Sequence, residues 1–143
     1  MKKIIFSLVL YKHSLEDIMP LLNSINELSN LYCQRNDNKI LMSIHDNSLD
    51  SSKFENSNFK FLNFQYQYTH DFKNVGFGLA NNLNFQQFDV NDQDLFIVAN
   101  PDTYFEANKL IKLLDFFQNQ NYIVCANPLI KNEKKIIQFS AKK

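Results

Sequence analysis

Ile4-Ile5-Phe6-Ser7-Leu8-Val9-Leu10 is a nearly continuous run of apolar and β-branched residues. Such runs suit strands buried on both faces, as the strands of a parallel sheet are. Lys2 and Lys3 before it give a superficial likeness to a secretion signal. Lys12 and His13 follow at once with no small-x-small cleavage site, so the run is taken as a strand. Beyond it, Ser14-Leu15-Glu16-Asp17 predicts a helix N-cap with acid in the first turn. Leu15, Ile18, Leu22, Ile25 and Leu28 continue at helical spacing, with Pro20 expected to bend the helix or move its start.

The same alternation runs down the chain. Lys39–His45 predicts a second strand and Asp46–Asn58, rich in Ser and Asn, a loop. Phe64, Tyr66 and Tyr68 alternate with Gln65 and Gln67, the pattern of a half-buried strand. Gly76–Phe88 predicts a helix entered through a glycine loop, and Leu95–Ala99 another buried strand. Leu110, Leu113, Leu114 and Phe117 mark an amphipathic helix. Tyr122–Ala126 and Lys135–Phe139 predict the last strands. Alternating strands and helices predict an α/β three-layer sandwich with a mostly parallel central sheet. At 143 residues the chain fits one domain, 1–143.

Composition excludes some classes. Fifteen basic residues balance fifteen acidic ones, against the basic stripe of a non-specific nucleic-acid binder. Cys33 and Cys125 form no C-x-x-C pair, so neither zinc nor a disulfide framework is expected, which suits a reducing cytoplasmic setting. No apolar stretch approaches the ~18 residues of a membrane span.

In open α/β sheets ligands bind beyond the carboxyl ends of the strands. Three predicted strand ends carry polar residues: Tyr11, Asp46-Asn47 and Asn100-Pro101-Asp102. A carboxylate at Asp46 could accept from the N3–H of uracil or thymine; taken alone, Asp46-Asn47-Ser48 reads first as a polar turn. Glycine distribution is more informative. A chain of this length would ordinarily hold about ten glycines. This one has two, Gly76 and Gly78, both in Asn74-Val75-Gly76-Phe77-Gly78-Leu79-Ala80-Asn81-Asn82. Glycine permits positive φ and close backbone approach to a ligand, and a helix N-terminus attracts anions. A tight strand-to-helix turn is the alternative. The flanking Asn74, Asn81 and Asn82 favour ligand binding, because amides bind ribose, sugar hydroxyls or phosphate. Asp102, held at the rim by Pro101, suits Mg²⁺ or Mn²⁺, which use few carboxylates plus substrate phosphates; an Asx-type turn accounts for the same residues. His13 and His45 are acid–base groups by type but receive no role.

Taken together and in order, these segments resemble glycosyltransferase family 2, of the GT-A (nucleotide-diphospho-sugar transferase), Rossmann-like fold. Ser7–Tyr11 resembles the family's opening strand, and Asp46-Asn47-Ser48 its nucleobase-contacting "DN-S". Asn74–Asn82 is similar to the "N-x-G-x-G-x-A-x-N" of the rhamnosyltransferase-like branch. Asn100-Pro101-Asp102 resembles the "N-P-D" that replaces the D-x-D metal motif there, and Asn127–Ile130 with Ile137–Ser140 the stretch that follows. Lys12 departs from a frequent Asn, Asn127 from a usual Gly and Lys142 from a usual Arg.

The resemblance implies a donor-binding portion of an enzyme moving a sugar from a UDP- or dTDP-sugar to a glycan or lipid-linked acceptor, in cell-surface polysaccharide synthesis. Tyr11, Asp46 and Asn47 would lie near the nucleoside, Asn74, Gly76, Gly78 and Asn82 along the diphosphate and sugar, and Asp102 at Mg²⁺ or Mn²⁺. It covers the family's amino-terminal half. The expectation is therefore a truncated product or donor-binding portion whose general base lies in the half not present. An exposed sheet edge would favour a homodimer, and a lipid-linked acceptor a cytoplasmic location at the inner membrane face. Two alternatives stand beside this reading: a nucleotide-sugar binder without turnover, and a flavodoxin-like interaction module.

Overall fold

The computed structural model describes residues 2–33, 38–50, 59, 62–118, 130–131 and 137–138. The predicted strand at 122–126 and the residues Cys125, Asn127, Ser140 and Lys142 lie outside them. β1 (Lys3–Leu10) pairs in parallel with β2 (Lys39–Asp46) on one side and with β4 (Leu95–Ala99) on the other, and β2 pairs in parallel with β3 (Gln65–His70). The resulting sheet is all-parallel, in the order β3-β2-β1-β4. Three helices accompany it: α1 (Leu15–Tyr32), α2 (Phe77–Gln86) and α3 (Ala107–Gln118). β5 (Ile130–Lys131) and β6 (Ile137–Gln138) form a separate short antiparallel pair. The fold is α/β and compatible with a Rossmann-like arrangement.

Side chains alternate across a strand, and the core follows that rule. Ile4, Phe6, Leu8 and Leu10 of β1 and Ile40, Met42 and Ile44 of β2 point to one face. There they pack with Ile18, Leu21, Leu22, Ile25 and Leu28 of α1 and Ala107, Ile111 and Leu114 of α3. Each of the Ile, Leu, Met and Phe side chains in this layer contributes about 1.5–3 kcal/mol on burial. α1 begins where predicted. Ser14 and Asp17 form a reciprocal capping box, and Pro20 sits inside the helix without ending it. Pro20 is exposed, so the carbonyl deprived of its partner is open to water.

The opposite face is built differently. Ser7 of β1 and Ser43 of β2 stand side by side in register, and α2 is fastened to them by amides. Ser7 Oγ donates to Asn81 Oδ1 (2.6 Å), and Ser43 Oγ donates to Asn84 Oδ1 (2.8 Å). Asn84 Nδ2 donates to Ser7 Oγ (2.9 Å) and to the Leu8 carbonyl (3.1 Å). Asn81 Nδ2 closes the set on the Phe77 carbonyl at 2.9 Å. With α1 and α3 on one face and α2 on the other, the three-layer arrangement expected from the sequence is present.

β4 departs from expectation. It was predicted to be buried, yet Val98 is 48% exposed. α2 lies on β1 and β2, and Phe85 reaches across to β4, with its ring centroid 5.1 Å from that of Phe96.

Candidate functional site

Parallel pairing puts the carboxyl ends of all four strands on one rim. Leu10, Asp46 and His70 are level with one another, and Ala99 is level with Leu8. Four strands about 4.8 Å apart make that rim about 14 Å across. The chain leaves β1 and β4 towards the α1/α3 face and leaves β3 towards the α2 face, so loops stand on both sides of the rim. Strand order reverses beside β1, the position at which sheets of this kind hold their ligands.

Hydrogen bonds join the loops after β1, β2 and β3. Asn47 N donates to the Leu10 carbonyl (2.8 Å) and Lys12 N donates to Ser48 Oγ (2.8 Å), joining the loops after β1 and β2. Val75 N donates to Asn47 Oδ1 (3.2 Å), and His70 Nε2 lies 2.8 Å from the Ser48 carbonyl, joining the loop after β3. On the other side, Thr103 N donates to the Asn100 carbonyl at 3.2 Å, closing a turn with Pro101 and Asp102 at its centre. That loop is anchored to α1 by Phe105 N donating to Ser24 Oγ (3.1 Å) and by the Phe105 ring stacked on Phe6.

The predicted residues divide into two groups. Tyr11, Asn74 and Asp102 are exposed on the rim. Asp46 and Asn47 are beneath it. Asp46 is 1% exposed, with Oδ1 accepting from Ser48 N (2.9 Å) and Oδ2 from Tyr68 Oη (2.8 Å). Its carboxylate is directed inward, because the polar turn it heads needs an internal acceptor, and its place is that of a positioning residue rather than an open contact. Asn82 is not brought to the rim. The helical period turns Asn81 and Asn84 to the sheet and leaves Asn82 exposed, about 7–8 Å along the axis from the first residue of α2.

Gly76 and Gly78 form the N-terminus of α2. Gly76 is the N-cap, with φ 81 and ψ 164, a region that is essentially glycine-only. Asn74 Oδ1 accepts from its N–H at 2.9 Å. A Cβ placed on either glycine would meet nothing within 4 Å. The space above both is open, and crowding within the fold does not explain their lack of side chains. α2 also has no side-chain cap and no acidic residue in its first turn, whereas α1 has both. Its first N–H groups therefore present a partial positive charge to the rim.

The two glycines have opposite consequences for stability. Gly76→Ala forces a side chain into a glycine-only conformation and is expected to cost about 1–3 kcal/mol. Gly78 lies in the helix with open space around it, so Gly78→Ala is expected to stabilise by up to about 1 kcal/mol. Urea unfolding of both variants checks the pair, and a stabilising Gly76→Ala would refute the backbone assignment.

Asp102 is the carboxylate suited to a metal. It is exposed, and among the described residues it makes no hydrogen bond or ion pair. Also among the described residues, no three His, Cys, Asp or Glu side chains group to hold an ion. One carboxylate fits Mg²⁺ or Mn²⁺ only when substrate phosphates complete the shell.

Sequence reasoning assigned His45 no role. The ring is 1% exposed at the end of β2, and its Nε2 has no hydrogen-bond partner among the described residues. Burial lowers its pKa, opposed by Asp71 and Asp46 and assisted by His70. The unfolded chain thus takes up this proton at higher pH than the folded one. Stability from this group is complete above the ordinary histidine value of 6.5 and falls as pH drops below it. Urea midpoints at pH 7.5 and 5.5 should fall more for the native chain than for His45→Gln; equal falls would contradict the assignment.

Asn81, expected from the sequence to favour ligand binding, is instead buried against the sheet on Ser7; with Asn84, Ser7 and Ser43, which received no role, it sets the position of α2 and hence of the glycines. Their signal was a serine at the same place in two aligned strands, KIIFSLVL and KILMSIHD.

Compared with known protein families, curated proteins and solved structures, the chain finds no match. No helix among the described residues is long and apolar enough to cross a membrane.

Proposed function

We propose that the rim binds a nucleoside diphosphate, and that the chain is the donor-binding part of a nucleotide-sugar-dependent glycosyltransferase of the GT-A type, resembling family 2. The observation that carries the reading is the entry to α2. Both glycines of the chain stand at an uncapped helix N-terminus, under open space, on the carboxyl rim of a parallel sheet. Gly78 sits where alanine would be more stable, so the fold itself does not require its bare backbone. A diphosphate accounts for it: bare N–H groups and a positive helix end bind its oxygens.

The other residues take roles consistent with their positions. Tyr11 and Asn74 face the ligand from the loops after β1 and β3, while Asp46 and Asn47 hold those loops in place. Asp102 would hold Mg²⁺ or Mn²⁺ together with the diphosphate; such an ion neutralises the charge of the departing diphosphate. Lys12 departs from the asparagine often found there in the family, although its φ of 60 is one in which asparagine is enriched. The acceptor, a glycan or lipid-linked sugar, and the base that activates its hydroxyl are assigned to no residue of this rim.

Calorimetry with UDP and dTDP, with Mn²⁺ or with EDTA, tests the proposal. Saturable binding strengthened by Mn²⁺ is expected. Absence of binding to either nucleotide would refute it.

A further inference from the structure

Among the described residues, Phe72 is the one exposed large apolar side chain with a positive φ. It lies two residues beyond β3, in the loop between the Asp46 turn and the glycine entry to α2. Its φ is 55, a left-handed conformation that is an outlier for a bulky side chain. Its side chain is also 53% exposed. An exposed phenylalanine held in a strained backbone is doubly unfavourable, and such strain persists only where the surroundings fix it.

Here they do. Before Phe72, His70 is fixed by its contact with the Ser48 carbonyl, and the Phe72 ring lies tilted against the His70 ring at a centroid distance of 4.3 Å. After it, Val75 N is fixed on Asn47 Oδ1 and Gly76 N on Asn74 Oδ1. The loop is therefore anchored on both sides of the strained residue, with more than half of the side chain left to solvent beside the bare-backbone turn. One side of the ring covers His70, the other is left to solvent, and Phe72 is not part of the buried core.

We infer that Phe72 is a stacking platform for the planar base of the bound nucleotide, a further positioning residue of the proposed site, and the inference rests on that reading of the rim. Exposed aromatic faces recognise bases without hydrogen-bond readout. The platform would thus contribute affinity for the base, leaving discrimination between bases to the polar groups around it.

The native chain has no tryptophan, so Phe72→Trp introduces a single reporter. Its emission should be quenched by UDP with the same dissociation constant that calorimetry gives. Phe72→Asn, which suits the left-handed backbone, should unfold at no lower urea concentration than the native chain and bind UDP about ten-fold more weakly. Equal UDP binding by Phe72→Asn and the native chain would overturn the platform while leaving the proposed function intact. Weaker binding by Phe72→Asn without quenching of Phe72→Trp would also overturn it, since Phe72 would then act through the loop alone. A native chain that binds no UDP removes the proposed function, and this inference with it.

Discussion

Asn84→Leu should lower the stability of the chain by about 3 kcal/mol, read as a fall in the urea midpoint. Asn84 is 1% exposed and joins α2 to β1 and β2 through three hydrogen bonds. Leucine has similar bulk, so packing is largely conserved. What is lost is the partner of the Ser43 hydroxyl, a donor to Ser7 and a donor to the Leu8 carbonyl. Each buried group left unsatisfied costs about 1–3 kcal/mol, and partial rearrangement brings the sum to the lower end. Asn82→Leu, two residues away on the exposed side, should stay within about 0.5 kcal/mol. Hydrogen exchange should place the Asn84→Leu loss in α2 before the rest of the chain. An Asn84→Leu protein as stable as the native one would mean that α2 is held by something other than these amides.

Asp102→Ala should abolish the effect of Mn²⁺ on UDP binding. With Mn²⁺ present the affinity should fall about ten- to hundredfold, the worth of one charge-assisted contact to a bound ion. With EDTA the variant and native proteins should bind alike. Folding should be unaffected, because Asp102 is exposed and makes no hydrogen bond or ion pair among the described residues. This separates a ligand role from a turn-forming one: an Asx-type turn residue would change stability and leave the metal dependence in place. Calorimetry of the two proteins with and without Mn²⁺ decides between them.

Much of the architecture is legible in single residues. The β-branched run at Ile4–Leu10 and the apolar run at Lys39–His45 announce strands of a parallel sheet, and Ser14 with Asp17 announces the start of α1. Pro20 does not move the start of α1, and the carbonyl it leaves without a partner lies on the solvent side. Val98 misleads. Its apolar run implies burial, but burial depends on where α2 lies, and that is set by Ser7, Ser43, Asn81 and Asn84, which pair across 41 to 77 residues of sequence.

The rim was legible in outline and not in detail. Strand ends and glycines locate Tyr11, Asp46, Gly76 and Asp102 on one edge once the sheet is parallel. Sequence does not show that Asp46 turns inward to Tyr68 and Ser48, nor that Phe72 is held at positive φ. Both follow from hydrogen bonds between loops, which depend on how the loops meet. Asn82 shows the same limit: in a row of asparagines, only the azimuth of the helix decides which amide meets the sheet.

The central claim is that loops from separate strands form one cleft for a nucleoside diphosphate. The most direct measurement is a titration of the isotope-labelled protein with UDP and Mg²⁺, followed by the backbone amide resonances. The account predicts that the amides of Lys12, Asn47, Gly76, Gly78 and Asp102 shift together and saturate with one dissociation constant. Shifts confined to the opposite end of the strands, near Lys3 and Asp94, or no shifts at all, would contradict it.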